Sequence, residues 1–185
     1  MSTALTRDAL ARCIDHTLLK PEATQAQIDQ LCAEARLHNF AAVCVNPYWI
    51  TRCVAQLEGS QTAVATVVGF PLGANTTATK AYEAQAAVAQ GAHEVDMVVN
   101  LGALIANDRD AVINDIAAVV GSVKSTRPDA LVKVILETRA LTDPQIILGC
   151  QCCVAARADY VKTSTGFGTG GNRNIVYTCT RTAYA

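Results

Sequence analysis

Short apolar runs alternate along the chain with longer segments in which apolar residues recur at helical spacing. The apolar runs predict strands at residues 13–19, 41–46, 62–69, 94–100, 131–138 and 160–165. Helical spacing, N-terminal threonines and C-terminal glycines predict helices at residues 3–11, 24–37, 49–57, 78–90, 109–125 and 143–157. Strands and helices therefore alternate, and no long linker or low-complexity run separates them.

The predicted strands are apolar on both faces, which is typical of a parallel sheet covered by helices. Two α/β architectures fit this pattern, an open doubly wound sheet and a (β/α)8 barrel. The dinucleotide-binding version of the open sheet carries a GxGxxG motif after its first strand. Residues 19–21 read Leu-Lys-Pro at that place, which weakens the nucleotide-binding alternative.

Charged residues interrupt four of the apolar strands, and these are Asp15, Asp96, Lys133 and Lys162. Because side chains alternate with a period of two, each charge lies on the face opposite its apolar neighbours. In a barrel that face is the interior, so the four charges are predicted to converge near the carboxyl-terminal mouth. Two acids and two lysines balance in charge, as buried charges require. A structural ion pair explains any one of them equally well, but four on four strands favour a functional site.

Lys162 lies where the last predicted strand meets a glycine-rich turn. The chain from residue 160 reads YVKTSTGFG, and further glycines follow at positions 170 and 171. Glycines permit positive φ and let backbone amides approach an anion. Burial of a lysine lowers its pKa, so we predict that Lys162 is an amine nucleophile for a carbonyl substrate. A lone lysine in such a strand is more often a surface residue, but the three other buried charges favour the nucleophile.

Composition narrows the class of protein. The chain has 185 residues, of which 51% are hydrophobic, enough for one domain with a sizeable core. A net charge of −1 gives no electrostatic basis for binding nucleic acid or an anionic membrane. No apolar run approaches the roughly 20 residues of a membrane span, and the N-terminal segment lacks the apolar core of a signal peptide. We therefore predict a cytoplasmic protein without a nucleic-acid or membrane partner.

Six of the eight cysteines lie in or beside apolar strand or helix segments, and they are Cys13, Cys44, Cys53, Cys150, Cys152 and Cys153. They lack the paired Cys/His spacing that a zinc site needs. We predict that most of them act as small buried hydrophobes in a reducing compartment, and we predict no metal site.

Six motifs resemble those of deoxyribose-phosphate aldolase. They read IDHTLLKP from residue 14, CVNP from 44, VGFPLGANTTATKAYEA from 68, EVDMVVNLGAL from 94, LVKVILET from 131 and ADYVKTSTGFG from 158. The matches run in order and cover nearly all of residues 14–171. The resemblance implies a (β/α)8 class I aldolase that splits the sugar phosphate 2-deoxy-D-ribose 5-phosphate into glyceraldehyde 3-phosphate and acetaldehyde. It implies a lysine Schiff base and no cofactor or metal.

The resemblance also implies roles for individual residues. Lys162 matches the Schiff-base lysine, and Asp96 matches the proton donor or acceptor. Lys133 matches a second active-site lysine, whose charge is expected to help keep Lys162 neutral. Residues that resemble the substrate-binding positions are Asp15, Thr17, Cys44, Asn46, Thr165 and Gly166.

The resemblance ends after Gly171, where residues 172–185 read NRNIVYTCTRTAYA. Members of the family continue with further barrel units that carry another lysine and the phosphate-binding loops. We therefore expect residues 1–171 to form an incomplete barrel of about six βα units, followed by an unrelated tail at 172–185. The expected consequences are little aldolase activity and self-association into a homo-oligomer through the edges of the first and sixth strands. An inactive fragment or oligomerising scaffold, and a related Schiff-base sugar-phosphate aldolase, stay open as alternatives.

Overall fold

A computed structural model describes residues 6–168 and 179–181 of the chain. The strands are β1 (Asp15–Leu18), β2 (Ala42–Val45), β3 (Ala63–Val68), β4 (Glu94–Val98), β5 (Leu131–Ile135), β6 (Tyr160–Lys162) and β7 (Cys179–Arg181). The α-helices are α1 (Arg7–Ala11), α2 (Gln25–His38), α3 (Ile50–Gln56), α4 (Thr77–Ala89), α5 (Leu101–Ile105), α6 (Arg109–Thr126) and α7 (Asp143–Ala155). Single 3₁₀ turns lie at Pro47–Trp49 and Thr138–Ala140.

Strands β1 to β6 lie side by side in chain order, and every adjacent pair is parallel. The sheet curls so strongly that Lys133 on β5 reaches Asp15 on β1, four strands away, at 2.8 Å. An open, gently twisted sheet would hold these strands far apart, because neighbouring strands are spaced by about 4.8 Å. The predicted α/β barrel class, with six parallel strands in an incomplete barrel, is confirmed.

The last strand differs from the prediction. The backbone of β7 pairs antiparallel with β6, placing Cys179 opposite Lys162 and Arg181 opposite Tyr160. The expected open edge at the sixth strand is therefore wrong over these residues. Pairing with a free strand edge uses only backbone N–H and C=O groups, so the pattern of side chains in the sequence did not predict this strand pair. The predicted boundary at Gly171 and the tail positions 172–178 and 182–185 lie outside the described residues.

Local signals explain most element boundaries. Gln27 caps the start of α2 by accepting the Thr24 N–H at 2.9 Å. Gly91, with φ of 108°, turns the chain out of the segment after α4, a conformation that favours glycine. The short helix α5 begins where the Asn100 side chain accepts the Ala103 N–H at 3.1 Å. The sequence did not predict α5, because five residues are too few to show helical periodicity.

Alternate positions of the strands supply two different environments. Outward side chains pack against the helices in two large apolar cores, which hold most of the valines of the sheet. Inward side chains of β2 and β3 are small, and they are Ala42, Cys44, Ala65 and Val67. Small residues on one side of the barrel interior leave room for the long charged side chains that enter from the other side.

A buried ion pair outside the barrel links the helical layer to the site. Lys80 on α4 donates to Asp115 on α6 at 2.7 Å and to the Val98 carbonyl at 3.0 Å. The Thr77 hydroxyl also donates to Asp115, at 2.9 Å. Because Val98 ends β4, these contacts tie two helices to the strand that carries Asp96. The sequence prediction did not identify this pair.

Five of the seven cysteines within residues 6–168 are buried and all seven carry free thiols, in agreement with the predicted role as small hydrophobes. Within residues 6–168 no group of His, Cys, Asp and Glu side chains is arranged to hold a metal ion. None of the described helices has both the length and the apolar character that crossing a membrane requires.

Candidate active site

The four charged side chains of the inner strand faces meet inside the barrel. Lys162 donates to Asp96 Oδ2 at 2.5 Å, and Lys133 lies 3.3 Å from Asp96 Oδ1. Lys133 also donates to Asp15 at 2.8 Å. Asp96 therefore bridges the two lysines through its two oxygens. The cluster lies at mid-barrel, below the expected mouth, because Asp96 and Lys133 occupy the centres of β4 and β5 and only Lys162 ends its strand.

A fifth charged residue, Glu94, belongs to the same cluster. Its Oε2 forms an ion pair with the Lys133 ammonium. The expected balance of two acids with two lysines is therefore wrong, because three carboxylates surround two ammonium groups. The signal was present in the sequence, since Glu94 precedes Asp96 by two positions and so shares its face. Polar residues are also common at the first position of a strand, so Glu94 was interpreted as an ordinary strand boundary.

The free site holds Lys162 as an ammonium ion. Burial lowers the pKa of Lys162, but the adjoining Asp96 carboxylate outweighs burial and holds the pKa above its ordinary value. The prediction of a lowered pKa, with Lys133 keeping Lys162 neutral, is therefore wrong for the free site. The charge of Lys133 does lower the pKa of Lys162, as expected, but the Asp96 carboxylate outweighs it.

The other members of the cluster show the same competition between burial and charge. Burial raises the pKa of Asp96, but the Lys133 and Lys162 ammonium groups together bring it below its ordinary value. Burial lowers the pKa of Lys133, but its three carboxylate neighbours hold it well above the ordinary value. Burial raises the pKa of Glu94 even though Lys133 opposes this. Glu94 therefore takes up a proton more readily than an ordinary glutamate, whereas Asp96 stays ionised.

Four of the predicted substrate-binding residues lie on β1 and β2 or directly after them, and one of these, Asp15, belongs to the charged cluster. Cys44 is fully buried inside the barrel, and burial raises the pKa of its thiol to about 12, which excludes it as a thiolate nucleophile at neutral pH. The Asn46 amide donates to the Leu19 carbonyl at 3.0 Å. The Thr17 hydroxyl donates to the Asp15 carbonyl at 2.8 Å, and its side chain is exposed.

A cavity of about 620 Å³ opens at the carboxyl ends of the strands. Its walls come from the loops after β1, β2, β3 and β6, and they include Asn46, Phe70 and Phe167. The Phe70 and Phe167 rings meet edge to face, 5.2 Å apart, and join the loops after β3 and β6 across the mouth. This mouth is where barrels of this class place their ligands.

The turn after β6 is held by Glu137, a residue that the sequence prediction missed. Glu137 Oε2 accepts the Thr165 N–H at 3.0 Å and the Thr165 hydroxyl at 2.5 Å. Glu137 lies two residues after the end of β5 and has a φ of 54°, an uncommon backbone conformation for a residue other than glycine. Thr165 thus has both polar groups occupied by the protein, whereas Gly166 follows with φ of 80° and is exposed. A glutamate directly after an apolar strand was the available signal.

We predict that Thr165→Val lowers the free energy of unfolding by about 1–3 kcal/mol. The substitution keeps the shape of the side chain but removes the hydroxyl that donates to Glu137, and Thr165 is only 8% exposed. Urea unfolding followed by circular dichroism measures the change. Thr126→Val removes an exposed hydroxyl bond to Ser122 and serves as the control, with an expected change below about 0.5 kcal/mol. Equal losses in the two variants would contradict a special role for the Glu137 contact.

Comparison with known proteins identifies the family. A family model described as DeoC/LacD family aldolase matches residues 10–183. The chain belongs to the DeoC/LacD aldolase family. A deoxyribose-phosphate aldolase from Lysinibacillus sphaericus is 59% identical over 161 residues, which are 87% of this chain and 71% of that protein. A deoxyribose-phosphate aldolase from Brevibacillus brevis is 58% identical over 85% of this chain and 70% of its own length.

Solved structures of the same group superpose on this DeoC/LacD chain. A Coccidioides immitis structure assigned to deoxyribose-phosphate aldolase gives a TM-score of 0.85 at 45% identity, covering 92% of this chain and 66% of that one. A deoxyribose phosphate aldolase from Aeropyrum pernix, described as tetrameric, gives a TM-score of 0.81 at 34% identity, covering 90% and 68%. The resemblance drawn from the motifs is thus confirmed, and the chain spans about two thirds to seven tenths of the length of these relatives.

Proposed function

We propose that this aldolase cleaves 2-deoxy-D-ribose 5-phosphate through a Schiff base on Lys162, with Asp96 as the group that moves protons. The observation that carries this proposal is the Lys162–Asp96 contact of 2.5 Å inside the barrel. A carbonyl group is activated when a lysine amine converts it into an iminium ion, which accepts electrons more readily. The contact supplies both the amine and a base that takes its proton.

The two lysines of the cluster differ in how easily each can act as the nucleophile. Lys162 ends β6 and has one carboxylate neighbour, and its side chain is 15% exposed. Lys133 is 5% exposed and contacts three carboxylates, which stabilise its ammonium form. An amine must lose its proton before it attacks, and Lys133 holds its proton far more strongly. Lys133 therefore serves as a fixed positive charge that favours the ionised form of Asp96, so that Asp96 gives up any proton it has taken from Lys162.

The first chemical stage forms the iminium ion. Lys162 passes a proton to Asp96, and the free amine attacks the C1 carbonyl carbon of the open-chain sugar to give a carbinolamine. The protonated Asp96 returns the proton to the carbinolamine hydroxyl, which leaves as water. The C1–N bond becomes an iminium group, and Asp96 is again a carboxylate next to it.

The second stage breaks the carbon–carbon bond. A carboxylate, for which we propose Asp96, removes the proton of the C3 hydroxyl while the C2–C3 electron pair moves toward the iminium and forms an enamine. Glyceraldehyde 3-phosphate leaves as the aldehyde. The enamine takes a proton at C2, and water hydrolyses the resulting iminium to release acetaldehyde and restore Lys162.

The remaining predicted residues are proposed to bind the substrate. Thr17 on β1 and Asn46 directly after β2 are proposed to offer hydroxyl and amide groups to the sugar, with Asp15 and Cys44 deeper in the barrel. The exposed turn at Gly166, which follows Thr165, offers backbone amides to the phosphate side. The free thiols and the small net charge support a cytoplasmic location without a nucleic-acid or membrane partner. Self-association stays a proposal.

The substrate assignment is tested by direct product analysis. The chain is incubated with 2-deoxy-D-ribose 5-phosphate, and glyceraldehyde 3-phosphate and acetaldehyde are measured by coupled assays. Fructose 1,6-bisphosphate, a ketose that offers a more hindered carbonyl, is the matched alternative substrate. We expect products from the deoxy sugar only, and the low activity expected from the motif analysis would reduce their yield without changing which sugar is cleaved. Cleavage of the ketose alone would favour a different Schiff-base aldolase, and no products from either would favour the inactive-scaffold alternative.

A further inference from the structure

Glu94 has no role in the proposed reaction, although it belongs to the charged cluster. Its side chain is 14% exposed, and its carboxylate pairs with Lys133. It opens β4 two positions before Asp96, so it lies on the same inner face, one layer farther from the mouth. The Cα of Ala65 on β3 lies opposite Glu94 in the sheet register, and the short alanine side chain leaves space for the glutamate.

The Lys133 ammonium group contacts three carboxylates at once. Asp15 accepts a hydrogen bond from it at 2.8 Å, whereas Glu94 and Asp96 are held as ion pairs. Neither Glu94 Oε2 nor Asp96 Oδ1 accepts an aligned hydrogen bond from the described residues. The carboxylates of Glu94 and Asp96 also repel each other, and each therefore makes the other more basic. Loss of Glu94 would remove this repulsion and leave the attraction of Lys133 on Asp96 unopposed, which makes Asp96 less basic.

We propose that Glu94 is a positioning residue for the aldolase reaction, which holds Lys133 below Asp96 and leaves Asp96 basic enough to take the proton of Lys162. This inference rests on the proposed roles of Lys162 and Asp96. Five of the strands β1 to β6 bring titratable groups to the barrel interior around the cluster, and β3 is the exception. These groups are Asp15 on β1, Cys44 on β2, Glu94 and Asp96 on β4, Lys133 on β5, and Tyr160 and Lys162 on β6.

The direction of the expected change follows from charge. Iminium formation needs the unprotonated amine of Lys162, so its rate rises as the pH rises through the pKa of Lys162. Glu94→Gln removes a negative charge and so favours the deprotonated form of each neighbouring acid. The rate profile should therefore move toward lower pH. The highest rate should also fall, because Asp96 becomes a weaker base.

The experiment measures how fast acetaldehyde forms a borohydride-trapped adduct on the whole chain, between about pH 8 and 11, a range that spans the ordinary lysine pKa and in which glutamates are ionised. For Glu94→Gln we expect a profile shifted by about half a pH unit or more, and a highest rate reduced roughly tenfold. Glu34→Gln is the control, since Glu34 pairs with His16 outside the barrel. Its profile should match that of the wild-type chain. Glu94→Asp retains the charge and should keep the profile in place with a lower rate.

If the folded Glu94→Gln variant forms the adduct with the same dependence of rate on pH as the wild-type chain, the inference is overturned. A change in the free energy of unfolding of the variant does not alter this conclusion. If that variant does not fold, Asp15→Asn and Glu94→Asp decide the question. The first removes another carboxylate from Lys133 and should shift the profile to lower pH, whereas a wild-type rate in the second would overturn the inference. Failure of the proposed function itself would look different, because the wild-type chain would then give no adduct.

Discussion

Lys162→Met should reduce cleavage of 2-deoxy-D-ribose 5-phosphate by about 10⁴-fold or more, the scale on which loss of a covalent nucleophile acts. Methionine has a similar length and suits a partly buried site, so the variant should fold. Asp96 keeps Lys133 as an ion-pair partner at 3.3 Å, which prevents an unpaired buried carboxylate. The measurement is the release of glyceraldehyde 3-phosphate under saturating substrate.

The control for this variant is Lys124→Met. Lys124 also contacts a carboxylate, Asp159, at 3.0 Å, and it binds the Ala130 carbonyl at the amino-terminal end of β5, away from the mouth. Its turnover should stay within about threefold of the wild-type value, because a partly exposed ion pair contributes little to stability. Activity of Lys162→Met within tenfold of the wild type would contradict the assignment of the nucleophile.

Asp96→Asn should lower turnover by about 10²-fold or more, since a general acid–base residue contributes at least this much. The trapped adduct with acetaldehyde should still form, although roughly tenfold or more slowly, because Asp96 no longer relays the protons of iminium formation. The asparagine no longer stabilises the ammonium form of Lys162, so the lysine loses its proton more easily. The two measurements should therefore separate, with turnover lost and the adduct retained.

Asp29→Asn is the matched control for the Asp96 variant. Asp29 pairs with Arg52 at 2.6 Å on the helical surface, so the same chemical change removes a salt bridge far from the cluster. Turnover of this control should be close to that of the wild-type chain. Near-normal turnover of Asp96→Asn would mean that Asp96 is a structural counter-ion.

The fold could be predicted from the sequence because two simple periods coincide with its architecture. Apolar runs separated by helical segments mark β1 to β6, and the period of two within each run places charged residues on one common face. The curvature that brings Lys133 to Asp15 follows from closing such a sheet into a barrel. Short elements escaped prediction: α5 has too few residues to show a period, and β7 pairs through backbone groups alone.

The site was predicted less completely than the fold, and the reason is electrostatic. The position of Lys162 in a buried strand indicates a lowered pKa, but the sign of the change depends on which charge lies beside the amine. The 2.5 Å contact with Asp96 raises the pKa of Lys162 instead of lowering it. A sequence pattern does not show how close two side chains on different strands lie. Glu94 and Glu137 were missed because each looks like an ordinary polar residue at a strand boundary. Only the fold shows that one contacts Lys133 and the other Thr165.

The position of the reduced adduct tests the central claim most directly. The chain is mixed with acetaldehyde, reduced with borohydride, digested with a protease and analysed by mass spectrometry to locate the modified lysine. We expect the ethyl adduct on Lys162, because its amine has one carboxylate neighbour and lies at the end of β6. An adduct on Lys133 with Lys162 unmodified would contradict the proposed mechanism and reverse the roles of the two lysines.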